Sequence, residues 1–299
     1  MTTETKSIRL GVDIGGTNIK FAVVEGKTLV YTETIKTADT CLGIVGDVVA
    51  KYTELKSKYN IESVGVGTPG SFKDGLVIAD NLPFKDFPLE ESLKKLIDLP
   101  LKVDNDANCA VLGEIECGSA SGCDNIVVVT IGTGIGGGIV LNRQVCRGKA
   151  GFGEIGHMVI QADGGLPCKC GKSGCWEQYV SATALVRESE RAAKENPDSI
   201  LGEIFERSGG ALNGILVFEA IERGCPVANA VLDKYTDYLV VGLHNVDKIF
   251  FPDAILLVGG ITSHGDLLMN SIRKKLSPGV NVEVSILQSK AGMLGAALL

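Results

Sequence analysis

The chain has 299 residues, 45% hydrophobic, 22% charged and only 5% aromatic, an ordinary globular balance with length for two domains and substantial cores. Its net charge of -7 gives no electrostatic footprint for nucleic acid or an anionic membrane, so neither is expected as a partner. Nine cysteines, an odd count with no apolar leader in MTTETKSIRL, argue for reduced thiols, metal binding and a cytoplasmic location rather than disulfides.

In chain order, Ile8–Val12 reads as a strand, then the turn Asp13-Ile-Gly-Gly-Thr-Asn18, a second strand Ile19–Val24 and a third, Leu29–Thr34. Leu42–Tyr59 has helical spacing, and Val64–Gly67 is a short buried strand ended by Thr-Pro-Gly. Leu89–Ile97 is a helix, Leu101–Val103 a strand, and Ala107–Glu116 a helix with Asp106 as its N-cap. The pattern restarts with strands Ile126–Ile131 and Gly138–Leu141 about a glycine turn, and a third strand near Gln144. The uncharged run from Asn125 to Asn142 is too short and too glycine-rich to span a bilayer. After a cysteine-rich loop come helices at Ala182–Glu195, Leu201–Glu206, Gly214–Glu222 and Pro226–Val246. Strand Ala254–Val258 ends at Gly259-Gly260; a helix, strand Val282–Ile286 and an apolar helix Ala291–Leu299 close the chain.

An internal repeat is visible. Val12–Val24 aligns without a gap on Val129–Leu141, each an apolar strand, a Gly/Thr turn and an apolar strand. Two such halves would turn their glycine loops into a common cleft. Gly15, Gly16, Thr17 and Asn18 would form one phosphate clamp; Gly132, Thr133, Gly134, Gly136 and Gly137 the other, through backbone N–H groups that glycine-rich turns expose. Lys20 would add positive charge, and Asp13 suits hydrated Mg²⁺ beside the phosphates. The plain alternative is a pair of tight hairpins, and the pairing of two such turns favours phosphate. Gly132–Gly137 also matches the dinucleotide fingerprint G-x-G-x-x-G, but that motif must open a helix, and the residues after Gly137 read as a returning strand.

From Gly153 to Glu177 the chain packs His157, Cys168, Cys170 and Cys175 between many glycines. Three thiols and an imidazole are the ligand set of a closed, tetrahedral, structural zinc site with no open position for a catalytic water. Asp106 and Asn105 lie where a strand passes into a helix, and capping alone would explain Asp106. With Glu154 and Glu177 flanking the zinc ligands, these carboxylates and amides suit a polyhydroxylated ligand, one of them taking the proton of an attacking hydroxyl.

Together, Asp13-Ile-Gly-Gly-Thr-Asn, Asn105-Asp-Ala-Asn, Gly132-Thr-Gly-Ile-Gly-Gly, Glu154-Ile-Gly-His and Cys168-Lys-Cys-Gly-Lys-Ser-Gly-Cys-Trp-Glu resemble the ROK family of repressors and sugar kinases, most of all its bacterial glucokinases. The resemblance implies an α/β fold of actin-like (ribonuclease H-like) type: two lobes with ATP and sugar in the cleft between them. The N-terminal lobe is expected over residues 1–117, completed by residues 288–299, and the C-terminal lobe with its zinc loop over residues 118–287. Asp106 takes the role of general base toward the 6-hydroxyl of glucose. Sugar contacts fall on Gly70, Asn81, Asn105, Asp106, Glu154, His157 and Glu177. Zinc ligands fall on His157, Cys168, Cys170 and Cys175, and nucleotide contacts on the two glycine turns and Gly259-Gly260. ATP, Mg²⁺ and structural Zn²⁺ are the implied cofactors, and a homodimer the implied assembly. His157 would bind zinc through one ring nitrogen and a sugar hydroxyl through the other. The family's repressors carry a DNA-binding domain ahead of the kinase-like part; Asp13 so near the first residue, and the acidic balance, set the expectation on the kinase branch. These motifs do not separate glucose from N-acetylmannosamine, fructose, mannose or allose, and a sugar sensor without turnover is the remaining alternative.

Overall fold

The computed structural model describes residues 7–79, 81–148 and 152–299. The chain forms two compact units: Met1–Val128, Gly138–Gly153 and Ser289–Leu299 make the first, Val129–Gly137 and Glu154–Gln288 the second.

The chain opens with β1 (Ile8–Ile14), which leaves Leu10, Val12 and Ile14 wholly buried. β2 (Asn18–Glu25) returns antiparallel to β1, and β3 (Thr28–Lys36) antiparallel to β2. Along β3 exposed and half-buried residues alternate, as suits an edge strand with one face on solvent. α1 (Cys41–Lys56) begins where the Thr40 hydroxyl accepts the Gly43 amide, and buries Ile44, Val45, Val48, Tyr52 and Leu55 as one stripe. β4 (Ser63–Thr68) follows, then the small hairpin β5 (Ser71–Lys73) and β6 (Leu76–Ile78), then α2 (Leu89–Lys94), β7 (Leu101–Asn105) and α3 (Asp106–Cys117). The sheet order is β3-β2-β1-β4-β7, with β1, β4 and β7 parallel. Register across those three sets Asp13, Gly67 and Asp104 in one row, and Thr68 and Asn105 in the next.

The remaining elements are β8 (Ile126–Ile131), β9 (Ile135–Leu141), β10 (Gln144–Val145), α4 (Glu177–Val180), α5 (Ala182–Glu195), α6 (Ile200–Arg207), α7 (Gly214–Glu222), α8 (Pro226–Phe250), β11 (Ala254–Val258), α9 (Gly265–Arg273), β12 (Val282–Val284) and α10 (Ala291–Ala297). The second sheet runs β10-β9-β8-β11-β12, the first sheet's order strand for strand. This duplicated α/β topology is that of the actin-like fold.

α10 lies on β1 and β4 and against α3, with almost no side chain between backbones. A Cβ on Gly11 would stand 1.9 Å from the Met293 carbonyl oxygen, and one on Gly295 would stand 1.6 Å from that of Cys109. The C-terminal helix therefore belongs to unit one.

Several boundaries differ from the sequence reading; α1 and α2 each end three residues early, at Lys56 and Lys94, and three other differences have a clear local cause. β9 begins at Ile135 rather than Gly138, so Gly136 and Gly137 are strand residues, not turn residues. α8 runs on to Phe250 and stops only where Phe251 turns left-handed (φ 46°) ahead of Pro252. The N-cap of α3 is Asn105, not Asp106: its Oδ1 accepts the amides of Ala107 at 2.9 Å and Asn108 at 3.3 Å.

Candidate active site

In unit one, the first glycine turn is a tight link between β1 and β2. The Gly15 amide donates to the Asn18 carbonyl at 2.9 Å, so it is spent within the hairpin. Thr37 braces the turn, its hydroxyl donating to the Gly15 carbonyl at 2.7 Å and its amide to the Thr17 carbonyl at 3.0 Å. Gly16, Thr17 and Asn18 are exposed, and among the described residues the amides of Gly16 and Thr17 have no hydrogen-bond partner. Two adjacent outward N–H groups are the part of this loop able to hold an anion. Asn81 lies against the turn, its carbonyl oxygen 3.0 Å from where a Gly16 Cβ would be.

Asp13 precedes this turn. Burial raises its pKa above the ordinary value of 3.8, and Lys20, with Nζ 3.4 Å from Oδ2, only partly offsets that. The Lys20 ammonium also donates to the Ser289 carbonyl at 3.2 Å. Lys20 thus serves Asp13 and the start of the C-terminal segment. A carboxylate at a strand end, still short of compensating charge, fits a hard cation beside the exposed turn.

Where β7 meets α3, Asn105 does two jobs. Besides capping the helix, its Nδ2 donates to the Gly70 carbonyl at 3.1 Å. Gly70 has φ 109°, and a Cβ there would lie 2.3 Å from the Ile78 carbonyl, so only glycine fits. Asp106 is the first helical residue, half-buried, and its Oδ1 accepts the Ala107 amide at 2.9 Å. Beneath it, Asp104 Oδ1 accepts the Asn105 amide at 2.8 Å and Asn108 Nδ2 at 2.9 Å, while Oδ2 takes Arg147 Nε at 2.7 Å. The sequence reading gave Asp104 and Arg147 no role.

In unit two, the second glycine turn is Gly132-Thr133-Gly134, closed by the Gly132 amide donating to the Gly134 carbonyl at 3.0 Å. Gly132 and Thr133 are exposed, and among the described residues the Thr133 and Gly134 amides have no partner. Gly136 donates to the Thr130 hydroxyl at 3.1 Å, and Gly137 is buried within β9. The clamp is therefore narrower than the sequence reading drew it. Gly259 does come to this turn: a Cβ on it would sit 2.1 Å from the Ile131 carbonyl, at the end of β8. Gly260 follows it and opens the 3₁₀ turn Gly260–His264.

The cysteine loop brings its four residues together. The ligand atoms of His157, Cys168, Cys170 and Cys175 all lie within 4.8 Å of one another. Cys168 Sγ is 3.5 Å from His157 Nδ1, and Cys170 Sγ is 3.5 Å from Cys175 Sγ. A tetrahedral zinc with ordinary bond lengths would set sulfur–sulfur at about 3.8 Å and sulfur–nitrogen at about 3.6 Å, so the cluster fits the ion. Burial and the neighbouring thiols raise the Cys175 pKa, while the Lys172 backbone amide leads in lowering that of exposed Cys170. Because Nδ1 faces the thiols, the other ring nitrogen is available for a different partner.

Glu154 is exposed, just ahead of the 3₁₀ turn Ile155–His157. Glu177 opens α4, next to Trp176, which is wholly buried and donates through Nε1 to the Tyr238 carbonyl at 2.9 Å. Burial of an indole on this scale is worth about 3–5 kcal/mol against alanine, which fixes the helix that carries Glu177. Glu177 Oε2 accepts the Ile135 amide at 3.1 Å. Unit one thus gathers Asp13, the first turn, Gly70, Asn81, Asn105 and Asp106, and unit two gathers the second turn, Gly259, Gly260, Glu154, Glu177 and the cluster of His157, Cys168, Cys170 and Cys175. Among the described residues no helix is long and apolar enough to cross a membrane.

Residues 9–299 match the ROK family. The glucokinase of Streptomyces coelicolor is 33% identical over 97% of this chain and 96% of its own length. That of Halalkalibacterium halodurans is 32% identical over 97% and 94%. A ROK family glucokinase from Streptomyces griseus, solved with glucose and AMPPNP, superposes with a TM-score of 0.88 at 33% identity, covering 97% of this chain and 98% of that one. The chain belongs to the ROK family.

Proposed function

We propose that this chain is an ATP-dependent glucokinase, transferring the γ-phosphoryl group of ATP to the 6-hydroxyl of glucose. The observation that carries the reading is the end-to-end similarity to an enzyme solved with glucose and AMPPNP, in a chain that has a carboxylate, Asp106, at the β7–α3 junction. In this reading Asp106 accepts the proton of the 6-hydroxyl as that oxygen bonds to the γ-phosphorus. The bond from γ-phosphorus to the bridging oxygen breaks, and ADP leaves with the electron pair. The transition state is loose, so Asp106 acts chiefly by aligning the hydroxyl and removing its proton late.

In this reading the residues assigned to sugar hydroxyls are Gly70, Asn81, Asn105, Glu154, His157 and Glu177. The outward amides of Gly16 and Thr17, and of Thr133 and Gly134, receive phosphate oxygens, which spreads the developing charge over preorganised donors. Asp13 is the residue to hold Mg²⁺, which when bound neutralises phosphate charge. His157, Cys168, Cys170 and Cys175 hold a structural zinc that fixes the loop bearing Glu154 and Glu177.

The test is ADP release with ATP and Mg²⁺ on glucose, mannose, fructose, allose and N-acetylmannosamine in parallel. The reading expects glucose to give the highest kcat/KM. Preference for another of these sugars would keep the chemistry and replace the substrate, and no sugar-dependent release from zinc-replete protein would favour a sensor.

A further inference from the structure

The second glycine turn does not stand alone. The segment that follows the last zinc ligand grips it at three points: Glu177 Oε2 accepts the Ile135 amide at 3.1 Å, the Ala182 amide donates to the Gly132 carbonyl at 2.8 Å, and the Thr183 hydroxyl donates to the Thr133 carbonyl at 2.9 Å. The fit at Glu177 is close enough to dictate the neighbouring residue. A Cβ on Gly134 would stand 2.2 Å from Glu177 Oε2, so any side chain there would push the carboxylate away. The turn carrying Glu154 and His157 also packs against Ile135, since a Cβ on Gly156 would lie 2.3 Å from the Ile135 carbonyl. Ile135 is buried and joins the exposed turn to β9.

We infer that Glu177 is a positioning residue for the nucleotide turn as well as a ligand of the sugar, so that one carboxylate links the two substrates within unit two. The inference rests on the kinase reading above and adds a role to it. A carboxylate offers two oxygens with about four acceptor sites. Oε2 can keep the Ile135 amide while Oε1, which accepts the Gln178 side-chain amide at 3.4 Å, has acceptor capacity left for a sugar hydroxyl. Sugar on Oε1 holds the carboxylate in the orientation that orders Gly132-Thr133-Gly134, and by linkage nucleotide on the turn favours sugar in equal measure.

The experiment is calorimetric titration of AMPPNP into zinc-replete protein with no sugar present, then with saturating glucose, for wild type, Glu177→Gln, Glu177→Ala and Gly134→Ala. Wild type should bind AMPPNP at least about fivefold more tightly with glucose than without. Without sugar, Glu177→Ala should lose about tenfold or more in AMPPNP affinity. Glu177→Gln, whose amide oxygen can still accept the Ile135 N–H, should stay within about threefold of wild type while losing glucose affinity. Gly134→Ala keeps the carboxylate but displaces it, and should weaken AMPPNP without sugar and abolish the gain from glucose. If Glu177→Ala binds AMPPNP as wild type does, Glu177 is a sugar ligand only and the inference is overturned with the kinase reading intact. Wild type that binds no AMPPNP at all would overturn both.

Discussion

The Arg147 guanidinium grips one carboxylate oxygen of Asp104 with two nitrogens, Nε and Nη2 each 2.7 Å from Oδ2. The other oxygen holds the backbone amide of Asn105 and the side-chain amide of Asn108, which bracket Asp106 on the first turn of α3. Asp104 therefore sets the backbone that carries the proposed base. Asp104→Ala should lower kcat at least about tenfold and destabilise unit one by about 1–3 kcal/mol, because the amides of Asn105 and Asn108 and the Arg147 guanidinium lose their acceptor. Asp104→Asn, which can retain the Oδ1 contacts, should cost less in both. Thermal melts and steady-state kinetics of the pair check this; equal losses would mean that Arg147, rather than the α3 contacts, is what matters.

The proposed zinc site at His157, Cys168, Cys170 and Cys175 predicts its own dependence. Cys170→Ser should reduce bound zinc from one ion per chain to a small fraction and lower the melting temperature. Glucose affinity should fall about 10- to 100-fold, as when a partner that orients a site is removed. Metal analysis and glucose titration decide it. Unchanged glucose affinity in zinc-free protein would leave zinc with no organising role.

Asp13 gives a pH signature. Its folded-state pKa is raised by burial, so the group favours folding below the unfolded value and that contribution is lost as pH rises through the folded value. Ionising this carboxylate in the folded chain therefore comes at a cost in stability. Asp13→Asn should melt higher than wild type at pH 7, the gain shrinking as pH falls toward the ordinary carboxylate range, while turnover drops on the order of 10²-fold. A variant less stable at pH 7 would show that the Lys20 contact outweighs burial.

Much of the fold was readable because its signals are local. Leu10, Val12 and Ile14 alternate through β1, and Ile44, Val48, Tyr52 and Leu55 keep helical spacing through α1. His157, Cys168, Cys170 and Cys175 fall within one loop, and their clustering in the structure follows from a spacing visible in the sequence. The misplaced boundaries have physical causes. Asn105 and Asp106 are adjacent and both suited to capping, and only the backbone decides which does it. Gly136 and Gly137 carry no strand signal of their own, so the start of β9 was hidden behind turn-like composition. The three-residue strands β5 and β6 are too short for a pattern. Arg147 on Asp104 and Glu177 on Ile135 join residues more than forty positions apart, and nothing local records such contacts.

The central claim is that Asp106 takes the proton of a glucose hydroxyl during transfer from ATP, and one variant tests it most directly. Asp106→Asn should bind glucose and AMPPNP within about threefold of wild type by calorimetry, yet lose about 10²–10⁴-fold in the single-turnover rate of glucose phosphorylation. Phosphorylation at the wild-type rate by protein that carries asparagine at this position would contradict the account.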